Sequence, residues 1–178
     1  SVLSAIVIAK LLEFNSVVES IDLRDNSFLA EGWCTIFHTL RKSKCSKIES
    51  WDLRGQKISS KTAKALAQYI SAAPFLTSLD LSNDAPKGRT GSKAQLSAFA
   101  SRKTSSEALP SIGIGAIGAK ALAGALAKRK SVLTSLDLSN NSIGETGAEA
   151  LARALAKGKS FLTSLDLSNN SIGETGAE

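Results

Sequence analysis

The stretch LTSLDLSNNSIGETGAE occupies residues 133–149 and recurs letter for letter at residues 162–178, a shift of 29 positions. Looser copies of its first half begin at Leu76, Ile48 and Val18, at intervals of 28 and 30 residues. A period of this length is typical of solenoids, in which each repeat buries its apolar side against its neighbours. The repeat therefore decides the fold.

The two halves of one repeat have different hydrophobic periods. Leu136 and Leu138 alternate with polar residues, which predicts a short strand, whereas Leu151 and Leu155 recur at the spacing of one helix face. Residues 146–149 read TGAE, which resembles a capping box and predicts that the helix begins there. One repeat is thus predicted to be a strand followed by a helix.

A degenerate repeat is predicted between Leu76 and Leu133, which are 57 positions apart and leave room for two units. Residues 114–132 align with residues 143–161 at the 29-residue shift, which indicates the helix of a unit starting near residue 104. Its strand half lacks the expected leucines and contains Pro110, so we expect a bulge or distortion there.

The consensus L-x-x-L-x-L-x-x-N-x-I-x-x-x-G-x-x-x-L-x-x-x-L resembles the leucine-rich repeats of the ribonuclease-inhibitor subfamily. Such repeats also occur in intracellular immune sensors and in the Ran GTPase-activating protein. The resemblance implies an α/β solenoid, a right-handed β-α superhelix with parallel strands on the concave side and helices on the convex side. It also implies a ladder of asparagines that bind the backbone between units. The ladder positions here are Asn26, Asn141 and Asn170, with Gln56 and Asp84 as substitutes and Ile112 as a break.

The whole chain, residues 1–178, is predicted to be a single solenoid domain. Its units start near residues 18, 48, 76, 104, 133 and 162. Residues 1–17 are interpreted as the helix of a preceding unit, with Val7 and Leu11 at the positions of the inward leucines. The absence of methionine and the end in mid-repeat indicate a fragment of a longer array. We expect further repeats or another chain to cover the open ends.

The strand side chains between the buried leucines are expected to form the concave face, because alternate residues of a strand point to opposite sides. Helices need more room than strands, so the helical side fans outward and the sheet side becomes concave. Three columns line this face. The first is Ser20, Ser50, Ser78, Ser135 and Ser164; the second is Asp22, Asp52, Asp80, Asp137 and Asp166; the third is Arg24, Arg54, Ser82, Ser139 and Ser168. Ala108 is expected to interrupt the aspartate column.

The aspartate column predicts a binding surface for cations. Neighbouring carboxylates about 5 Å apart repel each other by roughly 0.8 kcal/mol in water, and more near a protein surface. We therefore interpret the chain as a protein-interaction module or scaffold whose partner is a protein with a basic surface. The alternatives are a GTPase-activating protein of the Ran type, or the sensing region of an immune-type receptor or a bacterial effector.

Enzymatic, cofactor and metal chemistry are not expected. Residues 113–118 spell G-x-G-x-x-G, but two of the three glycines belong to the repeat itself, which argues against a dinucleotide site. His38 is the only histidine, so neither a metal site nor a catalytic triad can be assembled around it. Trp33 and Trp51 are interpreted as packing residues.

Nucleic acid and membranes are not expected as partners, although the net charge is +6. The basic residues cluster at helix ends, where they offset the helix dipole, and no aromatic residues are interleaved with them. Cys34 and Cys45 are too far apart in the predicted helix for a disulfide. Reduced cysteines predict a cytoplasmic protein.

Overall fold

In the described parts of the chain, five short strands alternate with five helices. A computed structural model describes residues 2–24, 26, 28–56, 58–83, 113–128, 131–157 and 160–173. The strands are β1 (Ser20–Asp22), β2 (Ser50–Asp52), β3 (Ser78–Asp80), β4 (Ser135–Asp137) and β5 (Ser164–Asp166). The helices are α1 (Val2–Glu13), α2 (Ala30–Lys42), α3 (Ser60–Ile70), α4 (Gly115–Leu126) and α5 (Gly144–Ala156). None of the helices in these described ranges is long and apolar enough to span a membrane.

The strands form one parallel sheet in the order β1-β2-β3-β4-β5. A helix lies between each strand and the next and returns the chain to the same edge, which is the connection that parallel neighbours require. Leu79 and Leu136 pair with each other and are buried, while the serine and aspartate on either side of each remain partly exposed. The alternation predicted within the repeat is thus the alternation of this sheet.

β3 pairs directly with β4, with Ser78 opposite Ser135. The strand expected from the unit starting near residue 104 therefore does not lie between them, and the stretch 84–112 is outside the described residues. That stretch also holds Asp84, Ala108, Pro110 and Ile112. Helix α4, assigned from the repeat pattern to that unit, packs against α3 on one side and α5 on the other. The strand pair β3–β4 and the helix pair α3–α4 thus both join the two sides of the 57-residue interval.

Helix α5 begins at Gly144, two residues before the predicted capping box. Ile143 occupies the N-cap position and makes no side-chain capping hydrogen bond. The Gly144 N–H instead donates to the Asn170 carbonyl at 2.9 Å, in a left-handed conformation with φ of 64°. The capping-box prediction was wrong, because a backbone carbonyl in the turn of the next layer, and not a side chain, accepts the first N–H of the helix.

Small residues let neighbouring helices approach closely. A Cβ atom at Gly118 would lie 2.9 Å from the Ala63 Cβ, and one at Gly147 would lie 3.1 Å from the Ala119 Cβ. The glycines at this repeat position therefore serve the contact between layers. This explains the last glycine of the G-x-G-x-x-G stretch.

The apolar core changes character along the solenoid. Its N-terminal part is an aromatic cluster formed by Phe28, Trp33, Phe37, Trp51 and Tyr69, with ring centroids between 5.0 and 6.5 Å apart. Trp33 and Trp51 are each 1% exposed, which confirms their interpretation as packing residues. The C-terminal part contains mainly leucine, isoleucine and alanine.

The inward face of α1 is formed by other residues than those predicted. Val7 and Leu11 are 57% and 69% exposed, so the prediction that they occupy the positions of the inward leucines was wrong. The helix contacts α2 through Ala5 and Ala9, which are buried. Ile8 and Leu12, one position further along, are the residues that pack against the core, and they are partly buried.

The predicted asparagine ladder joins the turns of the C-terminal layers. The Asn141 Nδ2 donates to the Leu81 carbonyl at 2.9 Å, and the Asn170 Nδ2 donates to the Leu138 carbonyl at 2.8 Å. Asn26 is exposed, and within the described residues its side chain donates to carbonyls of its own turn. Gln56 is buried, and its Oε1 accepts no hydrogen bond from the described residues.

Candidate functional site

The sheet face carries one uninterrupted column of five aspartates. Strand register places Asp22, Asp52, Asp80, Asp137 and Asp166 side by side in that order. The interruption expected at Ala108 does not occur, because Asp80 pairs directly with Asp137. The column therefore contains the predicted five aspartates but is denser than the sequence predicted, because nothing interrupts it.

Each aspartate also has a structural role at the end of its strand. The Oδ1 of Asp137 accepts the backbone N–H of Ser139 at 2.8 Å, and Asp166 accepts that of Ser168 at the same distance. The other three aspartates make the equivalent bond at 3.0 to 3.2 Å. Aspartate and asparagine are favoured in such turns because the short side chain reaches the backbone two residues on. One carboxylate oxygen is thus committed to the fold in every layer.

Two arginines bridge the aspartates of the N-terminal layers. The Arg24 guanidinium binds Asp22 through its Nε at 2.9 Å, and the same nitrogen lies 3.3 Å from the Asp52 carboxylate. Arg54 repeats the arrangement, with its NH2 nitrogen 2.6 Å from Asp52 and its Nε 3.3 Å from Asp80. This part of the column is therefore largely neutralised.

The aspartate pKa values follow the positions of the arginines. The hydrogen bond from Arg24 lowers the pKa of Asp22 to about 2. Partial burial opposes ionisation of Asp52, but the hydrogen bonds from Arg54 outweigh it and the pKa is lowered. Burial raises the pKa of Asp80, and the charges of Asp137 and Asp52 add to the rise. Asp80 is thus the last aspartate of the column that has an arginine beside it, and its charge is only partly compensated.

Asp137 and Asp166 form the uncompensated end of the column. The positions that hold Arg24 and Arg54 in the first two layers hold Ser139 and Ser168 here. No arginine or lysine of the described ranges forms an ion pair with either carboxylate. These two are therefore the only aspartates of the column without an ion pair among the described residues.

The serine columns contribute unequally to the surface. In the first column Ser20 and Ser164 are exposed, while Ser50, Ser78 and Ser135 are half-buried. In the third column Ser82 and Ser139 are only 2% and 4% exposed. They are therefore not part of the surface that a partner could contact, contrary to the prediction. They fold back beneath the preceding aspartate, and the Ser82 hydroxyl donates to Asp80 at 2.8 Å. Ser168 stays exposed in the last described turn.

The residues considered for other chemistry lie apart from this face. His38 is exposed on α2, where its Nδ1 lies 3.2 Å from the Cys34 carbonyl oxygen. Cys34 and Cys45 are both free thiols. Across the part of the chain that the structure describes, no group of three histidines, cysteines or carboxylates is arranged to hold a metal ion.

The arginine bridges between strands were missed by the sequence reasoning, which assigned Arg24 and Arg54 only a general effect on charge. A usable signal existed. Arginine follows aspartate by two positions in two consecutive layers, so each guanidinium lies beside its own carboxylate and that of the next strand.

Comparisons with known proteins agree with this architecture. The Leucine Rich repeat family profile matches residues 129–152 and 158–178. No curated protein sequence matches the chain significantly.

Two solved structures share the fold. The chain is similar to leiomodin-1 actin-binding site 2, with a TM-score of 0.63 and 16% identity over 92% of this chain and 77% of that one. It is also similar to the tropomodulin C-terminal domain of Caenorhabditis elegans, with a TM-score of 0.60 and 16% identity over 94% and 83% of the two chains. The parallel sheet, its helices and these matches show that the chain has the α/β solenoid fold of leucine-rich-repeat domains.

Proposed function

We propose that the chain is a protein-interaction module that binds a basic segment of a partner protein on its concave face. The observation that carries this proposal is the unbroken aspartate column, in which Asp137 and Asp166 have no arginine partner among the described residues. An array of carboxylates at strand spacing attracts cationic groups and steers their approach. The N-terminal layers hold the same carboxylates already bridged by arginine, so the contact is proposed to centre on the C-terminal layers.

The fold supports an interaction role. One structural relative is described as an actin-binding site, so a domain of this architecture serves protein binding in leiomodin-1. Actin is accordingly a second candidate partner, which co-sedimentation with actin filaments would test. The comparisons give no support to a Ran-type GTPase-activating protein or to an immune receptor. We also propose that the repeats belong to the ribonuclease-inhibitor-like class and that the protein is a non-enzymatic scaffold of the cytoplasm. The free thiols of Cys34 and Cys45 support that location.

Replacement of both Asp137 and Asp166 by asparagine should weaken binding of a fluorescein-labelled pentalysine peptide about tenfold at physiological salt. Asparagine keeps the oxygen that accepts the backbone N–H of the turn, so the substitution removes charge but not the turn. Two lost attractions of about 0.7 kcal/mol each correspond to that change in affinity. Fluorescence anisotropy measures the dissociation constant.

The matched control is Asp22→Asn, which removes a charge about 14 Å away along the sheet, farther than the Debye length of roughly 8 Å. We expect at most a twofold loss for this variant. If the control and the double variant weaken binding equally per charge, only net charge matters and the proposed location is wrong. Unchanged affinity in the double variant would remove the concave face from consideration.

A further inference from the structure

A groove lies on the helical side of the solenoid, between α3 and α4. The aspartate column lies on the opposite side, on the sheet. Its volume is about 330 Å³. The polar residues that line it are Lys64, Gln68, Ser71, Lys120 and Lys128, and the small ones are Ala67, Ala121, Gly124 and Ala125. A carboxylate is absent from this lining.

The groove exists because α4 has glycine where its neighbours have long side chains. Gly124 occupies the repeat position that holds Gln68 in α3 and Arg153 in α5. A Cβ atom built at Gly124 would have no atom within 4 Å. A site that is otherwise filled by the repeat is thus left empty at this one junction.

The charge of the groove also departs from the pattern of the next junction. Lys64, Lys120 and Lys128 are exposed, and within the described residues no carboxylate pairs with them. One layer on, the position of Lys120 holds Glu149, which binds Arg153 at 3.0 Å. The α3–α4 junction therefore combines open space with uncompensated positive charge.

We propose that this groove binds an acidic segment of a second protein partner. Lys120 lies in α4 and Lys128 two residues past its end, about 12 Å apart at the helical rise, and Lys64 lines the same groove from α3. That distance matches about four residues of extended chain. Carboxylates of such a segment reach the three lysines, while small apolar side chains between them cover Ala67, Ala121 and Ala125.

The two surfaces are independent of each other. The aspartate column lies on the sheet and selects cations, whereas the groove lies between helices and selects anions. The module accordingly has two faces of opposite sign, able to hold a basic and an acidic segment at once. Loss of one contact would leave the other intact, so either proposal can fail alone.

The test uses a fluorescein-labelled octapeptide of alternating glutamate and alanine, with binding followed by fluorescence anisotropy. Replacement of Lys120 and Lys128 by glutamine should weaken binding about fivefold or more, because two charge contacts are lost. Lys157→Gln is the matched control, since Lys157 has the position of Lys128 in the next layer. It should leave the affinity within twofold.

Gly124→Arg separates a shaped groove from general attraction. The substitution adds positive charge but fills the space, so the proposal expects weaker binding of the acidic peptide. General electrostatics expects stronger binding instead, and that result or an unchanged affinity would overturn the proposal. Gly124→Ala checks that α4 folds with a side chain at this position. Alanine should raise the urea midpoint, because glycine is a poor helix former and the added Cβ meets open space.

A membrane partner is tested in parallel with vesicles of phosphatidylcholine and phosphatidylserine in equal parts. The expected result is no lysine-dependent co-sedimentation with the vesicles at physiological salt. Co-sedimentation that Lys120→Gln and Lys128→Gln abolish, without any binding of the acidic peptide, would replace the proposal by a membrane surface.

Discussion

Replacing Trp51 by alanine is expected to lower the free energy of unfolding by about 3 to 5 kcal/mol. The indole is 1% exposed and lies at the centre of the aromatic cluster, with ring centroids 5.5 Å from Phe37, 5.9 Å from Tyr69 and 6.5 Å from Trp33. Truncation would remove contacts with two helices and leave a cavity between two layers. Urea denaturation followed by circular dichroism measures the loss.

Phe161→Ala is the matched control for an aromatic truncation, because Phe161 is 61% exposed. We expect its effect to stay within about 0.5 kcal/mol. Trp51→Leu should fall between the two, since leucine occupies the equivalent position in β3, β4 and β5. A loss below 1 kcal/mol for Trp51→Ala would contradict the assignment of the ring to the core.

Replacing Asn141 by alanine is expected to cost about 2 to 4 kcal/mol of stability. The side chain is 1% exposed, its Nδ2 donates to the Leu81 carbonyl at 2.9 Å, and its Oδ1 accepts the Ile114 N–H at 3.3 Å. Alanine would leave those backbone groups without this partner in a buried setting, at roughly 1 to 3 kcal/mol for each. Urea denaturation again provides the measurement.

Asn26→Ala tests whether the cost arises from bonds between layers. Asn26 occupies the same repeat position but is exposed, and its Nδ2 donates to the carbonyls of Leu23 and Arg24 in its own turn. Water can replace those bonds, so the expected loss is below about 1 kcal/mol. Equal losses for the two asparagines would show that the ladder does not join the layers.

The solenoid was predictable because the period of the repeat also gives the register in which neighbouring strands pair. The 29-residue shift aligns Leu136 with Leu165 and Asp137 with Asp166, and these are the pairs that the sheet forms. The interval between Leu76 and Leu133 misled the prediction, because its length equals two repeats although β3 and β4 are neighbours. Length alone cannot reveal which strands pair. Pairing depends on contacts between residues far apart in the chain.

The candidate site was predictable in position but not in chemistry. The repeat placed the aspartates in a column, yet Ser82 and Ser139 proved to be buried beneath them. Burial there results from the turn geometry, which the alternation of a strand does not describe. The groove beside Gly124 was missed for a related reason. It results from a difference between adjacent helices at one repeat position, and a consensus sequence does not show such differences.

The direct pairing of β3 with β4 has a consequence for the order in which the layers assemble. Partners elsewhere in the sheet are 28 to 30 residues apart in sequence, but Ser78 and Ser135 are 57 apart. Doubling the length of chain that must be closed adds about 0.6 kcal/mol of entropic cost. We therefore expect pairing of β3 with β4 to be the slowest closure in the sheet, by about threefold.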